Sequence, residues 1–288
     1  MKQDRSYLFV PGDRPERFDK AVASGAHAVI LDLEDAVAPE RKDLAREAMA
    51  AWLRGTSARV ILRVNSLDTA WHAPDLALLA LPAVRGVMLP KAQDAAALAA
   101  IAARLRPDQA LIPLVESVAG WFAAESLARV PGVLRLAFGS VDFNSDSGIQ
   151  GDGEELNLVR SQLVLVSRLA GVQPPIDGVS LAIDDAQALE ADTRRSRRFG
   201  FGAKLCIHPK QVVGVNAAFL PSAAELQWAR RVIEAVQAGG LGAIAVDGKL
   251  VDKPVLLLAQ AMVAEMDAAA APGGKRSEER RVGKECRL

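Results

Sequence analysis

Eight short apolar runs rich in Val, Ile and Leu recur along the chain, near residues 7–11, 28–33, 59–64, 86–90, 110–115, 134–139, 176–180 and 203–207. Between most of them lie segments whose apolar residues return every three or four positions, over 40–53, 95–105, 119–128, 156–170 and 186–199. That spacing lays one stripe along a helix packed on one side, whereas a short apolar run bounded by turn residues reads as a strand. The runs are apolar throughout instead of alternating with polar residues, as parallel strands covered on both faces are. Eight alternating units predict an α/β fold, a (β/α)8 TIM barrel, in preference to an open doubly wound sheet.

A length of 288 residues suits one such barrel of roughly 250 residues, and the reading places it over residues 1–220. A C-terminal helical extension is expected over residues 221–268, from a helix at 223–237, a breaker at 239–242, a short extended piece at 243–246 and a last helix at 253–266. An extension that follows a closed barrel must bury its apolar face on the barrel or on a neighbouring subunit. The Ala-rich Pro-Gly-Gly segment at 268–274 breaks the helix, so residues 269–288 are expected to be disordered. Residues 276–288, charge-dense and without periodicity, resemble the translation of a sequencing-adapter oligonucleotide and are read as a non-native tail.

Half of the residues are hydrophobic, yet no apolar run reaches the roughly 18 residues that span a bilayer, so no membrane partner is expected. The first residues carry no signal-peptide core, and two cysteines do not staple a secreted fold, which points to the cytoplasm. Setting aside residues 276–288 removes five of the 35 basic and three of the 35 acidic residues, leaving 30 against 32. A nearly neutral body argues against a nucleic-acid partner, which favours a clustered basic face.

In a TIM barrel the reacting groups gather at the carboxyl ends of the strands. Those ends carry Arg14 after Pro11-Gly12, then Asp32, Glu34 and Asp35, then Arg63 and Asn65, Lys91, Glu116 with Ser117, Gly139-Ser140 with Asp142, Ser180, and His208. Glu116 and Asp142 follow consecutive strands, whose axes lie roughly 5 Å apart, so both carboxylates can reach one ion. Two oxygen ligands with open positions suit Mg2+; zinc would call for more His or Cys. The structural alternative is that each acid caps a helix or pairs with a basic neighbour.

Arg63 is a cation in an otherwise apolar strand and needs an anion, either Glu34 or Asp35 nearby or a substrate carboxylate or oxyanion. His208 is a candidate general base, or simply bonds backbone at the start of a helix beginning at Pro209. Cys206 reads as core packing. A Schiff-base role for Lys91 is disfavoured because no acidic partner is evident, and surface roles are expected for His27 and His72.

Taken in order, Arg5-Ser-Tyr-Leu-Phe-Val-Pro-Gly12, Leu31-Asp-Leu-Glu-Asp-Ala-Val37, Leu62-Arg-Val-Asn65, Leu89-Pro-Lys91, Glu116-Ser117, Gly139-Ser-Val-Asp142 and His208-Pro-Lys-Gln211 resemble the citrate lyase beta subunit family. That family includes malyl-CoA and citramalyl-CoA lyases and belongs to the pyruvate-handling barrels. The resemblance implies Mg2+ on Glu116 and Asp142, with Arg63 at the substrate carbonyl. It places Arg14, Glu34, Asp35, Arg63, Lys91, Gly139 and Ser140 around the substrate and its CoA. The segment Asp247-Gly-Lys-Leu-Val-Asp-Lys-Pro254 resembles the family's closing motif, whose second aspartate, here Asp252, is an acid/base donated by a neighbouring subunit in trimeric members.

The expected function is therefore a Mg2+-dependent carbon–carbon lyase. It would cleave a 3-hydroxyacyl-CoA such as malyl-CoA or citramalyl-CoA into an acyl-CoA and a 2-oxo acid, or form it by Claisen-type condensation. The alternatives are the citryl-carrier lyase subunit of a citrate lyase complex and a metal-dependent aldolase acting on free hydroxy-oxo acids. Where the citrate lyase subunit proper tends to carry an acidic residue just before its second metal ligand, this chain has Gly139-Ser140-Val141, which favours a stand-alone enzyme.

Overall fold

The computed structural model describes residues 4–239 and 244–270. Eight parallel strands, β1 (Ser6–Pro11), β2 (Ala28–Asp32), β3 (Val60–Arg63), β4 (Val84–Leu89), β5 (Ala110–Val115), β6 (Ala137–Phe138), β7 (Ile176–Asp177) and β8 (Ala203–Cys206), close into a barrel in sequence order. The predicted (β/α)8 architecture is the one observed. Closure is made by β1 pairing with β8, with Ser6, Tyr7 and Leu8 opposite Lys204, Leu205 and Cys206.

Strand alternation sorts the apolar residues into two cores. Tyr7, Ile30, Ile61, Met88, Ile112, Leu114, Ile176 and Leu205 point inward and fill the barrel. Leu8, Val10, Val29, Leu31, Leu62, Val87, Leu89 and Val115 point outward against the helices. Because both faces are covered, the strands carry apolar residues at every position, and this produced the unbroken runs in the sequence.

Helices occupy the predicted segments, with shifted ends. The segment expected over 40–53 runs Lys42–Gly55, and 186–199 is helical as expected. The stretch 119–128 is two short helices, Val118–Phe122 and Ala124–Ala128, joined at Ala123. After β6 the chain turns at once into a helix, Ser140–Ser147, outside the segments that periodicity marks as helical. No helix among the described residues is long and apolar enough to cross a membrane.

The chain divides into two compact units, one ending at Phe219 and carrying the barrel, the other beginning at Leu220. In the second, helices Ala223–Gly239 and Lys253–Ala270 enclose a small core of Ala229, Val232, Val246, Val251 and Ala259. Between them stands an antiparallel hairpin, β9 (Ile244–Val246) and β10 (Lys249–Val251). Its two turn residues, Asp247 (φ 50°) and Gly248 (φ 74°), both adopt the left-handed conformation that a two-residue hairpin turn matched to strand twist requires. The last helix continues through Ala270, so residues 269 and 270 are helical and not disordered as expected. The helix continues because Ala268, Ala269 and Ala270 are the best helix formers and the Pro-Gly-Gly breaker follows them. The non-native tail assigned to 276–288, with the rest of 271–288, lies outside the described residues.

Candidate active site

Arg63 closes β3 opposite Asp32, the last residue of β2, in the strand register. Its Nε donates to Asp32 Oδ1 (2.7 Å) and its Nη2 to Asp32 Oδ2 (2.6 Å), a two-point clasp across adjacent strands. Nη1 lies 2.9 Å from Glu34 Oε2 and 4.0 Å from Asp35 Oδ2. The guanidinium stands over the Phe9 ring, 4.7 Å from its centre. Burial opposes its charge, but Asp32 and then Glu34 outweigh that and raise its pKa further. Sequence reasoning offered Glu34 or Asp35 as the anion and missed Asp32 as the main partner. The signal was there: both residues end neighbouring strands.

Asp32 has no oxygen to spare for a ligand. Besides holding Arg63, Oδ1 accepts from the Glu34 amide (2.9 Å) and Oδ2 from the Ala36 amide (3.3 Å). It therefore fixes the turn after β2 and the arginine together.

Glu116, at the end of β5, is 3% exposed, and its Oε1 accepts from the Lys91 amide (2.7 Å). Lys91 presents that amide from the left-handed conformation (φ 49°), unusual for a residue with a side chain. Burial first, then the charges of Glu34 and Asp142, push the Glu116 carboxyl up to about 8. Glu34 is likewise raised to about 7 by burial, against the pull of Arg63. On the other side of Glu116, a Cβ at Gly139 would stand 2.6 Å from Glu116 Cβ and 2.7 Å from Oε2. Gly139 is required for space, since its φ of −96° is open to any residue.

Asp142 lies in the first turn of helix Ser140–Ser147, and not at a strand end as the sequence suggested. Arg63, Glu116, Gly139, Ser140 and Asp142 nevertheless line one cavity of about 60 Å3 with Phe9, Leu114 and Val179. Two acids on one cavity, one of them held toward its protonated form by burial and then by its neighbours' charges, fit a hard divalent cation bound by Glu116 and Asp142. Among the described residues no group of three or more His, Cys, Asp or Glu side chains encloses a metal. An ion held by only two carboxylates keeps positions open for water and substrate oxygens.

The remaining candidates separate. Glu34, Asp35 and Lys91 line a neighbouring cavity of about 290 Å3 with Lys42, Asn65 and Trp71. Lys91 does have an acidic partner, contrary to expectation, because its Nζ lies 3.4 Å from Glu34 Oε1. Burial lowers the Lys91 pKa less than Glu34 and Asp35 raise it, the opposite of what a Schiff-base amine needs. Arg14 is exposed, 3.9 Å from Asp13 Oδ1, and lines neither cavity. His208 accepts from the Lys210 amide (3.2 Å) and caps helix Pro209–Ala218, the structural alternative of the two. His72 is buried with Nδ1 donating to the Asn65 carbonyl (2.8 Å), and the half-buried His27 accepts from the Arg5 amide (3.1 Å), so neither is a surface residue. Cys206 is buried with its thiol pushed up to about 12 by desolvation, as inert packing demands. In the second unit, Asp252 is exposed and caps the last helix, its Oδ1 accepting from the Val255 amide (3.1 Å).

Residues 5–209 match the HpcH/HpaI aldolase/citrate lyase family. The chain belongs to that family. It is 39% identical over 267 residues to a citrate lyase subunit beta-like protein of Mycobacterium tuberculosis, covering 89% of this chain and 93% of that one. It is 34% identical over 275 residues to a (3S)-malyl-CoA thioesterase of Cereibacter sphaeroides, covering 93% and 96%. The crystal structure of CitE from Mycobacterium tuberculosis, in complex with magnesium, acetoacetate and coenzyme A, superimposes with a TM-score of 0.81 at 35% identity, over 92% of this chain and 98% of that one. Family membership makes the chain a citrate lyase beta-like lyase relative, in agreement with the resemblance drawn from its motifs.

Proposed function

We propose that the protein is a Mg2+-dependent carbon–carbon lyase that splits a 3-hydroxyacyl-CoA such as malyl-CoA or citramalyl-CoA into an acyl-CoA and a 2-oxo acid, or joins them in reverse. The observation that carries this is the shared cavity of Glu116, Asp142 and Arg63, in which two acids and one clasped cation converge. Cleavage leaves an enolate beside the thioester and a new keto group, and both need electrophilic support. Bound Mg2+ supplies Lewis-acid stabilisation of the 2-oxo acid oxygens. Arg63, oriented by Asp32, faces the developing oxyanion at no reorganisation cost. Asp252 of a neighbouring subunit in a homotrimer moves the proton, and Arg14 meets the CoA.

Magnesium titration by calorimetry on the wild type, Glu116→Gln and Asp142→Asn, followed by incubation with acetyl-CoA and glyoxylate or pyruvate, tests this. Both variants should lose metal affinity and activity together; unchanged binding in both assigns the ion elsewhere. The thioesterase relative supports a second reading, hydrolysis of the same thioester. Hydrolysis releases a free hydroxy acid and CoA, whereas the lyase releases a 2-oxo acid, so the products decide.

A further inference from the structure

The cavity around Glu116 and Asp142, about 60 Å3, is far smaller than the few hundred Å3 of a ligand site and takes little beyond the reacting atoms. A second cavity of about 720 Å3 shares Ser140, Val141 and Val179 with it. Its size is that of a ligand site for a small organic molecule. Val141 lines it from helix Ser140–Ser147, Val179, Leu181 and Ala182 from the segment after β7, and Ala188 and Ala191 from helix Ala186–Phe199. Leu181 and Val141 are largely exposed, 68% and 46%, as apolar residues waiting for a hydrocarbon partner would be.

Of the four charged residues in its lining, Asp152, Asp192 and Arg195 are already paired with one another or with neighbours, and Arg198 is exposed. Asp192 is held by Lys204 Nζ (2.7 Å), by the Ser180 hydroxyl and by Arg195, and Arg195 also lies 3.3 Å from Asp152 Oδ2. With Arg195 clasped between two aspartates, the cavity presents hydrocarbon at Val141 and Val179, the wall it shares with the small cavity, while Arg198 is an exposed cation elsewhere in its lining. Ser140 and Val141 immediately precede Asp142, so a group leaving the small cavity across them belongs to the ligand bound at the two acids.

We propose that this second cavity receives the side chain of the 2-oxo acid, and that the enzyme prefers 2-oxo acids with an apolar chain longer than methyl. The inference rests on the lyase reading for the identity of the ligand. Ala188 and Ala191 set the available length.

Binding of pyruvate, 2-oxohexanoate and 2-oxoadipate to the magnesium-loaded protein by calorimetry provides the test, alongside condensation of each with acetyl-CoA. Each added methylene is worth about fourfold when buried, so 2-oxohexanoate should bind at least about tenfold more tightly than pyruvate. Ala191→Leu and Ala188→Leu, both at exposed positions that the fold tolerates, should each reduce that ratio toward about one while the thermal melt is unchanged. Equal or tighter binding of pyruvate, a preference that survives both substitutions, or tighter binding of the dicarboxylic 2-oxoadipate overturns the inference. A length preference in binding with no condensation at any length leaves the cavity assignment standing and removes the lyase reading. Condensation without a length preference does the reverse.

Discussion

At position 139 a single methyl group would collide with the Glu116 side chain at both Cβ and Oε2. Gly139→Ala should therefore displace the carboxylate and lower magnesium affinity at least about tenfold, with an overpacking cost of about 1–3 kcal/mol. Calorimetric titration and a thermal melt read the two effects separately. Glu116 and Glu34, raised to about 8 and about 7 from an ordinary value of 4.5, make a second expectation. Between that ordinary value and the raised ones the folded protein keeps protons that the unfolded chain has lost, so stability falls as pH rises through this window. The metal-free protein should melt at a lower temperature at about pH 8 than at about pH 6, and excess Mg2+ should restore more at the higher pH, where fewer protons need displacing. A magnesium-induced shift in melting temperature that is the same at both pH values would remove Glu116 as a ligand. None of this was visible in the sequence, where Glu116 was an acid after an apolar run; its like-charged neighbours are Glu34, just after β2, and Asp142, in the helix after β6.

Among the elements, the hairpin β9–β10 and the helix that follows it deliver Asp252 at a helix N-cap, where its carboxylate serves the Val255 amide. Capping and chemistry are separable there. Asn caps as well as Asp, so Asp252→Asn should leave the melting temperature unchanged and abolish turnover, whereas Asp252→Ala should also lose about 1 kcal/mol of stability. If Asp252→Asn keeps full activity, the proposed acid/base is another residue. The helix after β6 carries the other lesson at this scale. Ser140-Val-Asp-Phe-Asn-Ser-Asp-Ser147 has only two apolar residues and no helical stripe, so periodicity is blind to it. It forms because Phe143 packs against Phe138, ring centres 5.6 Å apart, and because Gly148 ends it in the left-handed conformation. Placing Asp142 in its first turn, and not at a strand end, still brings the carboxylate to the cavity of Glu116.

For the whole molecule, the proposed sharing of Asp252 between subunits makes activity a property of the assembly. Glu116→Gln and Asp252→Asn should each be inactive alone. Co-expressed, they should recover about a quarter of wild-type activity, because each site then needs one intact residue from each of two chains. Recovery of none would mean that each chain completes its own site. The sequence determined the barrel, since burial of every strand on both faces demands unbroken Val, Ile and Leu runs, and those runs, such as Ala28-Val-Ile-Leu-Asp32, are short-range and countable. It also determined that Asp32, Arg63 and Glu116 stand at strand ends, because that position follows from where each run stops, though not that Asp142 sits in a helix. Tertiary structure alone decided the pairing: Arg63 met Asp32 through strand register, Lys91 met Glu34 across the mouth, and Gly139 made room for Glu116. Those are contacts between residues 23 to 57 positions apart, set by closure of the barrel, and no local pattern encodes them.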